Sequence, residues 1–152
     1  MTEPRLLAFD LSLTASGVVY PDGRPDTLKP PKGLVGPARL DWWGQTFEVI
    51  LADAKPTRIV VEQPYVGHRN NTLKLGELYG VFNRCVHRAT PTPVTTWVPP
   101  STLKKAWTGS GKATKADMAW ELGRRLGIWV ATSDDAVDAL ALWHLCREGV
   151  FG

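Results

Sequence analysis

The short run RIVVEQP at residues 58–64 constrains the fold of this chain more than any other segment. Its apolar residues follow one another without alternation, which is typical of a strand covered on both faces, and Pro64 ends it. Glu62 is the one charged residue in the interior of this run. Because an isolated glutamate in a buried strand is unfavourable, Glu62 needs a partner.

The rest of the chain divides into strand-like and helix-like segments around that run. RLLAFDLS and SGVVYPDG predict two adjacent antiparallel strands, and a third short strand is expected near DTLKP. Apolar residues at helical spacing predict a helix that ends before Pro56 and another over residues 70–88. TPVTTWVPP predicts a fifth strand, and further helices are expected near Ser101 and over residues 114–126 and 133–147. This order predicts an α/β fold, a mixed five-stranded sheet flanked by helices.

Length and composition limit the classes of protein that the chain can represent. With 152 residues, 43% of them hydrophobic and 22% charged, we expect one globular domain over residues 1–152. No segment reaches the ~18 apolar residues of a membrane helix, and the start MTEPRLLAFD is unlike a secretory signal peptide. We therefore expect a cytoplasmic protein with no membrane partner. Positive charge is concentrated between residues 101 and 125, which permits a polyanionic partner.

Four acidic residues stand where the apolar pattern predicts burial. Asp10 ends the first strand, Glu62 lies in the buried run, and Asp135 and Asp138 are three residues apart on the last predicted helix, on a face shared with Leu142. Buried carboxylates at close range repel one another and take up protons unless a cation holds them. Mg²⁺ is commonly held by a few carboxylates, and two such ions suit phosphodiester hydrolysis. These acids therefore predict a divalent-metal site.

Other interpretations apply to some of the remaining polar residues. Asp134 is interpreted as a cap of the last helix, because acidic residues favour a helix N-terminus. Cys85 and Cys146 lie beside apolar residues at helical spacing and are expected to be reduced and buried. A single zinc site formed by Cys85, His87, His144 and Cys146 is disfavoured. Only one residue separates each cysteine from its histidine, whereas zinc ligands are usually separated by two or more.

Several segments, taken in order, resemble the RuvC family of Holliday-junction resolvases, whose fold is RNase H-like. LLAFDLSLTASGVV resembles the first strand of that family with its catalytic aspartate, and VVEQPYV resembles the second acidic motif. LKLGELYGV resembles the helix that follows, LKKAWTGSGKATKADM the lysine-bearing segment, and SDDAVDALAL the terminal motif with acids three apart. The resemblance covers residues 5–147.

The resemblance implies a crossover junction endodeoxyribonuclease. Such an enzyme cleaves Holliday junctions and related branched DNA by paired hydrolysis of phosphodiester bonds. By position in the motifs, Asp10, Glu62, Asp135 and Asp138 would be catalytic residues and metal ligands, and the alignment selects Asp135 rather than Asp134. The implied cofactor is Mg²⁺ or Mn²⁺, two ions per active site, with no small-molecule cofactor.

The same resemblance implies roles for basic and aromatic residues. Lys104 and Lys115 match the functional lysines of the family, where a compact cation near the scissile phosphate offsets transition-state charge. Tyr65 matches the aromatic residue that stacks against bases at the junction. The helix that carries LKLGELYGV would form a two-fold dimer interface, so a homodimer would place two active sites across one junction.

Four further basic residues are expected to contact DNA, namely Arg69, Lys74, Lys105 and Lys112. The first motif departs from the usual bacterial pattern, since Leu11 and Ser12 replace the more usual proline and glycine, so forks and flaps are further expected substrates. The alternatives are a YqgF-like nuclease that acts on RNA and a non-catalytic protein that binds branched DNA. A sugar-kinase-like ATPase is disfavoured, because this chain is too short for a two-lobed cleft.

Overall fold

The computed structural model describes residues 3–64, 69–129 and 135–149, and for residues 69–71 it describes the backbone alone. Among these residues lie five strands: β1 (Leu6–Asp10), β2 (Ser16–Val19), β3 (Pro25–Leu28), β4 (Arg58–Glu62) and β5 (Val94–Val98). The helices are α1 (Gly36–Ala54), α2 (Arg69–Arg88), α3 (Pro100–Thr108), α4 (Lys115–Leu126) and α5 (Val137–Arg147). Within the described ranges, none of these helices has the length and apolar character that crossing a lipid bilayer requires.

The strands form one mixed sheet in the order β3-β2-β1-β4-β5. The β1–β2 and β2–β3 pairs are antiparallel, whereas β4 runs parallel to both β1 and β5. The predicted mixed five-stranded sheet flanked by helices is therefore confirmed. Phe9 of β1 lies opposite Val61 of β4, so the next residues, Asp10 and Glu62, reach the same edge of the sheet.

Apolar side chains cover both faces of the sheet. One face packs against α1 and α2, where the rings of Phe9, Phe47 and Phe82 lie with centroids 5.2–6.0 Å apart. The other face packs against α3, α4 and α5. Ile59 and Val60, adjacent on β4, belong to opposite cores. This confirms the prediction that the run at residues 58–64 is a strand covered on both sides.

The two cysteines lie in different cores. Cys85 packs beneath α1 on one face of the sheet, and Cys146 packs on the other face. Both are buried free thiols, as predicted from their apolar surroundings. A zinc site shared by both cysteines is excluded, because the sheet separates them.

The last helix begins later than the sequence pattern predicts. α5 starts at Val137, and Asp135 lies in a turn before it, so the prediction that Asp135 and Asp138 share a helical face is wrong. A tertiary contact lies at this point: a Cβ added to Gly17 of β2 would overlap the backbone carbonyl of Asp135. The chain therefore passes directly over β2 before it turns into the helix. The capping role predicted for Asp134 lies outside the described residues.

Candidate active site

Three of the predicted acidic residues come together at the edge of the sheet. Asp10 and Glu62 are the last residues of the parallel neighbours β1 and β4, and Asp138 lies in the first turn of α5, which packs across these strands. One carboxylate oxygen from each of the three lies within 4.8 Å of the others. All three residues are partly buried. The sheet register and the helix packing thus bring residues far apart in sequence to one point.

Burial and mutual repulsion make these carboxyl groups weak acids. Burial, followed by the charge of Asp138, raises the pKa of Asp10 to about 7. Burial, followed by the charges of Asp10 and Asp138, raises the pKa of Glu62 to about 9. Burial also raises the pKa of Asp138. Without a cation, the cluster therefore holds protons at neutral pH that exposed carboxylates would release.

The donor set fits a divalent cation that prefers oxygen. Carboxylate oxygens are the ligands of Mg²⁺ and Mn²⁺, and the cluster offers three within coordinating reach of a shared ion. A cation bound there would replace the protons and cancel the repulsion that raises the pKa values of Asp10 and Glu62. The geometry and the chemistry of the cluster therefore both suit a metal centre.

Two lysines lie close enough to act on the cluster. Lys104 of α3 and Lys115, the first residue of α4, are both half-buried. Their charges oppose the rise in the pKa of Glu62, and Lys115 does the same for Asp10. Because α3 and α4 both pack against α5, lysines that are 11 positions apart face one site. Neither lysine lies within salt-bridge distance of an acid in the described part of the chain.

Asp135 is close to the cluster but is not part of it. Its carboxylate is absent from the group of oxygens within 4.8 Å, although its charge contributes to the raised pKa of Asp10. Its backbone is fixed by the approach to Gly17. The role of Asp135 as a ligand stays a prediction from the resemblance.

The three lysines predicted to contact DNA lie outside the acidic cluster. Lys74, Lys105 and Lys112 are exposed on α2, on α3 and in the loop before α4, respectively. Arg69 begins α2, and its side chain is not described. Tyr65 lies outside the described residues. Their contacts with DNA stay predictions.

Two polar residues that the sequence analysis did not single out support the edge of the site. The Tyr79 hydroxyl on α2 donates a hydrogen bond of 2.7 Å to the backbone carbonyl of Glu62. The fully buried Ser16 hydroxyl accepts from the Ser12 backbone N–H at 2.9 Å and donates to the Ser12 carbonyl at 2.8 Å, which closes the turn after Asp10. A tyrosine at a buried helical position signals such a partner, because its hydroxyl must be satisfied.

Comparison with known proteins identifies a matching family and relatives of this chain. The family model described as crossover junction endodeoxyribonuclease RuvC matches residues 34–146. The RuvC protein of Halorhodospira halophila is 30% identical over 147 residues, which cover 90% of this chain and 86% of the relative. The RuvC protein of Alkalilimnicola ehrlichii is 32% identical over 154 residues, which cover 93% and 91%.

Solved structures show the same fold. The structure described as Thermus thermophilus RuvC in complex with Holliday junction substrate matches with a TM-score of 0.77 at 20% identity, covering 97% of each chain. The yeast mitochondrial Holliday junction resolvase matches with a TM-score of 0.62 at 15% identity, covering 96% of this chain and 81% of the other. At such identities the likeness concerns the fold, and the family assignment depends on the sequence matches.

Proposed function

This chain belongs to the RuvC family of crossover junction endodeoxyribonucleases, and we propose that it resolves four-way DNA junctions by metal-dependent hydrolysis of phosphodiester bonds. The observation that carries this proposal is the convergence of Asp10, Glu62 and Asp138 beside Lys104 and Lys115. A binding protein without catalytic activity would gain affinity by losing negative charge next to phosphates. The presence of three clustered carboxylates therefore favours an enzyme.

Asp10, Glu62 and Asp138 would hold the metal, Mg²⁺ or Mn²⁺, with Asp135 as the fourth acidic ligand that the family motif implies. When bound, two such ions supply an activated water and charge stabilisation for the attacking and leaving oxygens. The protein would hold two of the carboxylates at the end of a parallel strand pair and the third on the helix packed across it, so that little reorganisation is needed on binding.

Lys104 and Lys115 would stabilise the negative charge that develops on the scissile phosphate. Their half-buried position next to the carboxylates gives these cations a stronger effect than exposed lysines have. Lys74, Lys105 and Lys112 would contact the phosphate backbone, which supplies affinity that is independent of sequence. Tyr65 and Arg69 complete the proposed DNA-contacting set, with Tyr65 stacking on bases at the junction.

A homodimer would pair two active sites with the pseudo-two-fold symmetry of a four-way junction. The family resemblance implies that α2 would form that interface. Leu78 and Phe82 of α2 are buried within this chain, whereas Leu73 is exposed on the same helix. Leu73 is therefore an apolar side chain of α2 that a second copy would cover.

The test is cleavage of a labelled synthetic four-way junction beside a linear duplex of matched sequence. Each DNA is incubated with Mg²⁺, Mn²⁺ or EDTA, and the nicks are read on a denaturing gel. We expect symmetric nicks on the junction that require metal. An intact junction that still shifts on a native gel would favour the non-catalytic binding protein, and a lack of any interaction with DNA would direct the test to RNA substrates.

A further inference from the structure

Two tryptophans that no step of the proposed reaction uses lie exposed on one surface. Trp120 of α4 is 61% exposed and Trp129, three residues after α4, is 66% exposed. Their ring centroids are 5.9 Å apart with an interplanar angle of 63°, so the rings meet edge to face rather than stacking on each other. The remaining tryptophans are buried or half-buried. Two adjacent indoles left in water are costly, which points to a partner that covers them.

The position of Trp129 depends on a glycine in the helix. A Cβ added to Gly123 of α4 would overlap the six-membered ring of the Trp129 indole. Gly123 is buried, although it lies one turn before the end of the helix, and an alanine there would favour the helix by ~1 kcal/mol. The missing side chain therefore gives Trp129 a place against α4, beside Trp120.

The charge around the pair is suited to a polyanion. Trp120 borders a shallow cavity of about 320 Å³ that is also lined by Lys112 and by the hydroxyl-bearing residues Thr108 and Ser110. The two acids at this cavity are already engaged. Asp117 accepts a hydrogen bond from the Thr114 backbone N–H at 2.9 Å, and the carboxylate of Glu121 lies 2.7 Å from Arg124 and 2.9 Å from Arg125.

The surface lies on the helix that begins at the candidate active site. α4 begins at Lys115, whose charge acts on the carboxylates, and Trp120 lies five residues further on, about 7.5 Å along the helix axis and about 140° around it. The two indoles therefore lie close to the active site along α4, on a different face of that helix.

We propose that the Trp120–Trp129 pair binds unpaired bases of a single-stranded arm of branched DNA. The inference rests on the proposed function, since it assigns a class of substrate to the same enzyme. Fully paired arms keep their bases stacked inside the duplex, whereas an unpaired base offers its face to an exposed indole whatever its identity. Lys112 supplies a contact with phosphates.

The test measures affinity for three DNAs in EDTA, where no cleavage occurs. The first is a fork with a single-stranded thymidine arm, the second has an abasic arm of equal length and charge, and the third is a fully paired four-way junction. The parent protein should bind the thymidine arm more tightly than the abasic arm. Trp120→Ala and Trp129→Ala should each weaken binding to the thymidine arm by about fivefold or more, with binding to the other two DNAs unchanged.

A second variant tests whether the position of the Trp129 indole matters as well as its presence. Gly123→Ala keeps both tryptophans and should displace Trp129, so we expect the same loss of discrimination. Equal weakening on all three DNAs, or full discrimination in both tryptophan variants, would overturn the proposal. Cleavage of the fully paired junction by the parent protein tests the proposed function separately, so the two can fail independently.

Discussion

The Tyr79 hydroxyl donates a 2.7 Å hydrogen bond to the backbone carbonyl of Glu62, the last residue of β4. Tyr79 also packs on Trp97 of the neighbouring strand, with ring centroids 5.6 Å apart. Burial, with the charges of Asp10 and Glu62, raises the pKa of Tyr79 above its usual value, so the hydroxyl stays a donor. The hydrogen bond therefore fixes the backbone from which one proposed metal ligand projects.

Tyr79→Phe keeps the ring and removes this hydrogen bond. Because an unsatisfied buried carbonyl costs about 1–3 kcal/mol, we expect a modest loss of stability. A positioning role predicts, in addition, a several-fold rise in the Mg²⁺ concentration that gives half-maximal cleavage. Tyr20→Phe is the matched control, since Tyr20 is half-buried against Arg24. A lower thermal stability with an unchanged Mg²⁺ requirement would show that Tyr79 acts on stability alone.

The raised pKa values predict how stability depends on pH without metal. Asp10 has a pKa of about 7 in the folded chain and Glu62 about 9, against usual values of 3.8 and 4.5. The folded state therefore binds these protons more tightly than the unfolded state does. Their contribution to stability is complete below the usual values and is lost as the pH rises through about 7 and then 9.

Thermal unfolding in EDTA should accordingly show a midpoint temperature that decreases as the pH is raised from 5 to 9. Because a metal ion competes with these protons, the increase in midpoint on addition of Mg²⁺ should grow over the same range. A metal-induced increase that is constant with pH would show that protons and metal do not share these carboxylates.

Removing one carboxylate should stabilise the metal-free protein and abolish its activity. At pH 8 we expect Asp10→Asn to raise the free energy of unfolding by about 1–2 kcal/mol in EDTA, because it removes a buried charge and its repulsion with Asp138. Cleavage and the Mg²⁺-induced increase in midpoint should both be lost. Affinity for the junction should be retained or should rise, since a negative charge next to phosphates is gone.

Glu77→Gln on the exposed surface of α2 is the matched control for this carboxylate. It should leave the free energy of unfolding within about 0.5 kcal/mol of the parent value. A decrease in stability for Asp10→Asn in EDTA would contradict the repulsive cluster. The double variant Asp135→Asn with Glu62→Gln should likewise bind junction DNA without cleaving it.

Neighbouring lysines on α3 should have different effects. Lys104 is half-buried, and its charge opposes the rise in the pKa of Glu62, whereas Lys105 is exposed. Lys104→Met should lower the cleavage rate at saturating DNA by at least about tenfold. Lys105→Met should keep that rate and weaken binding to all DNAs alike. It should also reduce the slope of log affinity against log salt concentration by about one. Single-turnover rates and affinities at several salt concentrations distinguish these outcomes, and equal effects of the two substitutions would contradict separate roles.

Local sequence patterns predicted most of the fold. The uninterrupted apolar run around Val60 predicted a strand covered on both faces, because strand periodicity and breakers such as Pro64 are local properties. Glu62 indicated the site because it is an isolated charge among apolar neighbours, and a buried charge needs a partner. Asp10 was found by its position at a strand end, and the parallel pairing of β1 with β4 then placed it beside Glu62.

Long-range contacts decided the rest. Asp135 precedes α5, which starts at Val137, and its carbonyl lies against Gly17 of β2, a contact that no local pattern around residue 135 can predict. The hydrogen bond between Tyr79 and Glu62 likewise joins a helix to a strand end.

The sequence by itself determined which segments become strands and helices, which acids are unusual and which family the chain resembles. Only the tertiary structure decided which acids meet: Asp10, Glu62 and Asp138 lie within 4.8 Å, and Asp135 stands apart from that group. The physical reason is that periodicity and turn chemistry act over a few residues, whereas the separation of two carboxylates depends on sheet register and helix packing. The register depends on pairs such as Phe9 with Val61, and the packing of α5 depends on contacts such as the hydrogen bond of 3.1 Å from the Trp143 indole to the Leu6 carbonyl, all between residues far apart in the sequence.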